Sequence, residues 1–243
     1  DGNTQFEGFD QCTTANAACL INGQSVDVDL ALVASGSFLA RKIELHDDAT
    51  AAGDDELDGV ISKIDGPAQF EMVVIDELRS VTNVSVGDPI TVKLTTTGSL
   101  TSFRVDTDGL SVPSALQQAF ENSTDTSQLI PGQTVQVRKV SLTGGPAPAA
   151  ITVTTDRVRL RDTRLTATVS GAPAGNNFNI GTLPGLFTGN GISTIQVQTS
   201  SNTNFENVAG VTGLADSNTV SVRGLLFTST PNPVLVADKV RKR

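Results

Sequence analysis

The sequence predicts an all-β chain of tandem small antiparallel β-barrels, two and a half modules with one short helix in the middle module. Val26, Val28, Leu30 and Leu32 alternate with Asp27, Asp29 and Ala31, the period of a strand with one buried and one wet face. Val, Thr and Ile dominate such runs, and Gly, Asn, Asp and Pro fall between them. The chain also repeats itself, because three segments carry the same features in the same order, as stacked modules do.

The first module, residues 1–47, begins with Asn3-Thr4-Gln5-Phe6-Glu7, which matches Asn202-Thr203-Asn204-Phe205-Glu206 near the end. A polar turn leads into Gly23-Gln24-Ser25-Val26-Asp27-Val28, whose counterparts are Gly132-Gln133-Thr134-Val135-Gln136-Val137 and Ser217-Asn218-Thr219-Val220-Ser221-Val222. After a further hairpin each repeat closes on a related strand, at 40–45, 155–160 and 237–242. In two of these closing strands Ala40 and Ile43, and Ala237 and Val240, lie three apart. An odd spacing inside a period-two element predicts a β-bulge, which would help a small sheet coil and close.

The middle module, 56–161, and the third, 163–243, share a front half that the first lacks. Leu57-Asp58-Gly59-Val60-Ile61 corresponds to Leu165-Thr166-Ala167-Thr168-Val169, Phe70 to Phe178, and Ile90 to Ile195. The first repeat therefore enters at mid-module. Half a barrel leaves apolar faces and strand edges in water, so residues 1–47 are expected to be completed by upstream polypeptide or by strand addition from a neighbouring subunit. A helix is expected at about 112–121, with Pro113 near its first turn and Leu116 and Phe120 on one face, placed to plug the open end of the middle barrel. The matching stretch of the third module is shorter and carries Gly210 and Gly213, so the helix is expected in the middle module alone.

On the Gly-Gln-x-Val-x-Val openings at 23–28 and 132–137, and the Ala-x-x-Ile and Ala-x-x-Val closings at 40–43 and 237–240, the chain resembles a family of uncharacterised function. Its members are small β-barrel modules, often in tandem, in exported bacterial proteins and lipoproteins. The resemblance implies an exported, OB-like barrel and brings no catalytic residues with it.

The chemistry is sparse. With 17 basic and 26 acidic side chains the formal charge is −9, which argues against a nucleic-acid partner. The 243 residues include ten Phe but no Trp or Tyr, the rings that usually build sugar platforms and interface hot spots. One His leaves no repertoire for a catalytic triad, and the carboxylate pairs Asp106/Asp108 and Glu71/Asp76 lack an aromatic floor for a sugar ring. No run of about 18 apolar residues suggests a transmembrane helix. Cys12 and Cys19, without a CxxC spacing or a nearby His, favour a short-loop disulfide over two free thiols, and with it an oxidising compartment.

Charge is unevenly placed. Asp47, Asp48, Asp54, Asp55 and Glu56 make an acidic stretch around a linker at 48–55, without the regular spacing of a calcium loop, so neither metal nor cofactor is expected there. Arg157, Arg159, Lys239, Arg241 and Lys242 gather on closing strands, and alternation puts Arg157 and Arg159 on one face, expected to be the solvated one. Complementarity between these cations and the acidic stretch of another copy would give salt-sensitive self-association. Together these features point to a non-catalytic structural or adhesive β-repeat protein at the cell surface, a filament or layer subunit. The alternative is a displayed module that binds a glycan or cell-wall polymer.

Overall fold

A computed structural model describes residues 4–7, 16–20, 25–32, 38–46, 56–78, 83–98, 100–107, 109–145 and 149–243. The fold is all-β, and the chain forms two compact units, Asp1–Asp54 and Asp55–Arg243.

The first unit is a three-stranded sheet of β1 (Gln5–Glu7), β2 (Ser25–Leu32) and β3 (Phe38–His46). β3 lies in the middle, parallel to β1 and antiparallel to β2. A 3-10 turn at Ala17–Cys19 packs buried Cys19 against Phe6, Val26 and Ile43.

The second unit opens with β4 (Glu56–Gly66), β5 (Gln69–Leu78), β6 (Pro89–Leu94), β7 (Ser102–Val105), helix α1 (Ser114–Glu121) and β8 (Thr134–Thr143). It continues with β9 (Ile151–Ala174), β10 (Asn177–Gly181), helix α2 (Gly185–Thr188), β11 (Ile195–Gln198), β12 (Asn204–Glu206), β13 (Thr219–Phe227) and β14 (Val234–Lys242). Successive pairings of β4, β5, β6, β9 and β8, with β8 returning to β4, close one ring of strands. Pairings of β9, β10, β11, β14 and β13, with β13 returning to β9, close a second.

The repeats read from the sequence share one backbone construction. In each, a short strand runs parallel to the closing strand (β1 on β3, β7 on β9, β12 on β14) and a threonine just before it reaches across. Thr4 Oγ1 donates to the Ala40 carbonyl at 2.8 Å, Thr101 Oγ1 to that of Thr155 at 2.8 Å, and Thr203 Oγ1 to that of Ala237 at 2.7 Å. The register shifts at the same place each time, between Asp29 and Leu30, Val137 and Lys139, and Arg223 and Gly224. The expected bulge is therefore present in all three closing strands, and the threonine satisfies a carbonyl beside it. In the second unit an ion pair flanks the bulge twice, Arg138 with Asp156 and Arg223 with Asp238. The first repeat carries the reversed residues, Asp29 and Arg41, at these positions.

The division expected at 161–163 falls inside β9, which passes unbroken from one ring to the other. The rings are fused. Beyond the bulge, Leu225, Phe227, Val234 and Val236 enter the core of the first ring with Phe70, Phe103 and Phe120, whereas Leu226, Leu235 and Ala237 enter that of the second. The tip of the β13–β14 hairpin is thus buried on both faces. Gly224 makes this possible, because a Cβ there would collide with the Val236 carbonyl. Gln133, fully buried, donates through Nε2 to the Leu226 carbonyl at 2.8 Å, and Gly132 leaves the space taken by the Phe187 ring.

Helix α1 lies where expected and buries Phe120 edge-on against Phe103 (5.6 Å between centroids) and Phe227 (6.5 Å). The expectation of one helix is corrected by α2, a single turn between β10 and β11 that buries Phe187. Its flanking Pro184 and Gly189 read as loop in the sequence, and four residues are too few to show a helical period.

Candidate functional site: a cation-lined groove on the second ring

Charged side chains of the second unit concentrate along the middle of β9 and the strands beside it. The structure takes two residues out of the set expected on the surface. Glu56 is not a solvated linker charge: it starts β4, is 1% exposed, and pairs with Arg157. Arg157 is likewise mostly buried, and burial, then repulsion from Arg159, lowers its pKa to about 10, still cationic at neutral pH. Strand alternation placed Arg157 on the outer side, and the bulge beside Asp156 turns the chain locally, which alternation alone does not register.

Next along β9, Arg161 donates to Asp106 at 3.1 Å and lies 3.9 Å from Asp58. Burial raises the pKa of Asp58, against the opposing pull of Arg161 and a hydrogen bond from Gln136. Arg159 remains half-buried near this carboxyl. Asp162 is also raised by burial, and it flanks Arg223 together with Asp238. Burial works against the charge on Arg223, but its hydrogen bond to Asp238 and the two carboxylates raise its pKa.

Beyond these pairs the outer face of β9, β13 and β14 forms a groove of about 140 Å³. Register builds it. Arg164, Arg223 and Lys239 stand in one row across the three strands, and Thr166, Ser221 and Arg241 in the next. Arg243 completes the lining, and Glu206 on β12 is its one carboxylate. Glu206 accepts from Lys239 at 2.6 Å and lies 3.8 Å from Arg241. The bond from Lys239 and the charges of both cations outweigh a smaller desolvation effect and hold its carboxyl below the ordinary range. Among the described residues Arg164 and Arg243 have no carboxylate partner.

The remaining expected residues are distributed as follows. Lys239 and Arg241 line the groove, and Lys242 is half-buried at the end of β14. Cys19 is buried in the first unit, while Cys12, Asp47, Asp48, Asp54 and Asp55 lie outside the described residues. Of the two expected sets, the structure brings together Glu56 and Arg157. The sequence did not mark Arg164 and Arg243 as a pair at one site. The row of Arg164, Arg223 and Lys239 follows from the β9–β13–β14 register, which no local pattern in the sequence announces. Among the described residues no group of three His, Cys, Asp or Glu could hold a metal ion. Among the described residues no helix is long and apolar enough to cross a membrane.

The family described as "Domain of unknown function (DUF5666)" matches residues 1–44. This supports the likeness to an uncharacterised family over the first repeat, whose backbone construction recurs twice in the second unit. No curated protein matches the chain.

Proposed function

We propose that this is a non-catalytic extracellular structural or adhesive β-repeat protein, a subunit of a surface filament or layer. Its first unit is completed by strand addition, from a neighbouring subunit or from preceding chain. One comparison carries the reading. Val137 and Val222 occupy the same repeat position as Val28; both are 0% exposed inside closed rings, whereas Val28 is 42% exposed. The strands that cover them are β4 for β8 and β9 for β13, and among the described residues β2 has β3 alone as neighbour. An apolar residue on an unpaired strand is a template for pairing with another chain.

The hairpin of the first unit supports the same reading. Leu30-Ala31-Leu32 and Phe38-Leu39-Ala40 are continuous apolar runs, like those of the β13–β14 tip, which is covered on both faces. Val28→Lys places a charge on this edge and leaves the Phe6, Val26 and Ile43 cluster in place. It is expected to weaken self-association about tenfold or more, the loss of one buried aliphatic side chain. Light scattering across a concentration series checks this, with circular dichroism to confirm the fold; equal association of both proteins would sink the strand-addition mechanism.

Export to an oxidising compartment and a Cys12–Cys19 disulfide belong to the same proposal. Alkylation of the unfolded, unreduced native protein is expected to add no mass, and to modify two thiols after reduction. Two modified thiols before reduction would remove this support for export. A second reading, as a displayed module that binds an extracellular polymer, is favoured by the cation-lined groove.

A further inference from the structure

We propose that the groove on the outer face of β9, β13 and β14 binds a linear polysaccharide bearing carboxylate or sulfate groups. The proposal deepens the ligand-binding reading. Neighbouring strands lie about 4.8 Å apart, so Arg164, Arg223 and Lys239 present a row of three cations across roughly 10 Å, with Arg241 and Arg243 beside it. Like charges directly opposite one another destabilise a sheet. Asp162, Asp238 and Glu206 offset part of that cost, but Arg164 and Arg243 keep no carboxylate partner among the described residues. A ligand that brings several oxyanions at once would relieve the remainder. The planar guanidinium fork matches carboxylate and sulfate with two parallel hydrogen bonds.

A polar pair at the groove's edge suits a sugar. Thr166 Oγ1 lies 3.3 Å from Ser221 Oγ on this exposed face, a pair of hydroxyls able to exchange hydrogen bonds with those of a glycan. Nucleic acid fits less well, because no aromatic side chain lines the groove to stack a base and the whole chain carries −9. A row of cations across roughly 10 Å also favours a ligand with several anionic groups over a single small anion.

The test uses the monomeric fraction of the full chain, so that failure to assemble does not affect it. Calorimetric titrations are run with polyuronate and heparin-type oligosaccharides, which separate carboxylate from sulfate, and with a neutral glucan, inorganic phosphate and single-stranded DNA. At least one acidic oligosaccharide is expected to bind, more weakly as salt rises. R164A/R243A is expected to bind about tenfold more weakly with an unchanged melting temperature, the sum of two exposed charge contacts. Glu206→Gln, which removes the groove's own carboxylate, is expected to bind about threefold more tightly. Absence of binding to either acidic oligosaccharide overturns the ligand-binding reading and this site with it. Binding that R164A/R243A leaves intact overturns the site alone, as does tighter binding of DNA or phosphate. Loss of salt-sensitive self-association in R164A/R243A, without any sugar binding, would instead assign the groove to the carboxylates of a second copy.

Discussion

Phe227→Ala is expected to destabilise the second unit by about 3–5 kcal/mol, lowering its melting temperature by roughly 10 °C. Phe227 belongs by sequence to β13 of the second ring, yet its side chain is 2% exposed in the core of the first, edge-on to Phe120. Truncation leaves a cavity lined by residues from both rings. Amide exchange is therefore expected to accelerate in β4, β5 and β6 as well as in β13 and β14. Acceleration confined to residues 219–242 would show that the rings are energetically separate despite their shared strand.

Glu56→Ala is expected to cost about 3–5 kcal/mol, because it removes the carboxylate paired with the Arg157 guanidinium, whose side chain is only 11% exposed. Arg157→Met alone removes the cation paired with the buried Glu56 carboxylate. The double variant Glu56→Leu with Arg157→Met replaces the pair by apolar groups of similar size and is expected to recover most of the loss. Urea unfolding of the wild type, Glu56→Leu, Arg157→Met and the double variant closes the double-mutant cycle. Additive losses would mean that the two side chains do not act as a pair.

Much of the architecture was legible because it rests on local pattern. The three-residue spacing of Ala40 with Ile43 and of Ala237 with Val240 marks bulges that the register shifts confirm. The front-half correspondence holds too: Leu57, Phe70 and Ile90 occupy one core, and Leu165, Phe178 and Ile195 the other. Fusion of the rings was missed although its signal was present. Gly224-Leu225-Leu226-Phe227 and Val234-Leu235-Val236-Ala237 lack alternation, as strands buried on both faces do.

Glu56 was misplaced for a different reason. Its neighbours in sequence are Asp54 and Asp55, while its partner Arg157 lies 101 residues away, a distance that composition cannot bridge. The groove was half-legible in the same sense. Lys239 and Arg241 were recognised on the closing strand, but Arg223 on β13 was not, and the alignment in one row depends on the β9–β13–β14 register.

The assembly reading depends on an edge that is covered in two repeats and, among the described residues, unpaired in the first. Negative-stain microscopy of the wild-type chain, at concentrations spanning the onset of light scattering, tests it most directly. Ordered, open-ended polymers that are absent from Val28→Lys preparations are the expected result. A particle that stays monomeric at every concentration would contradict it.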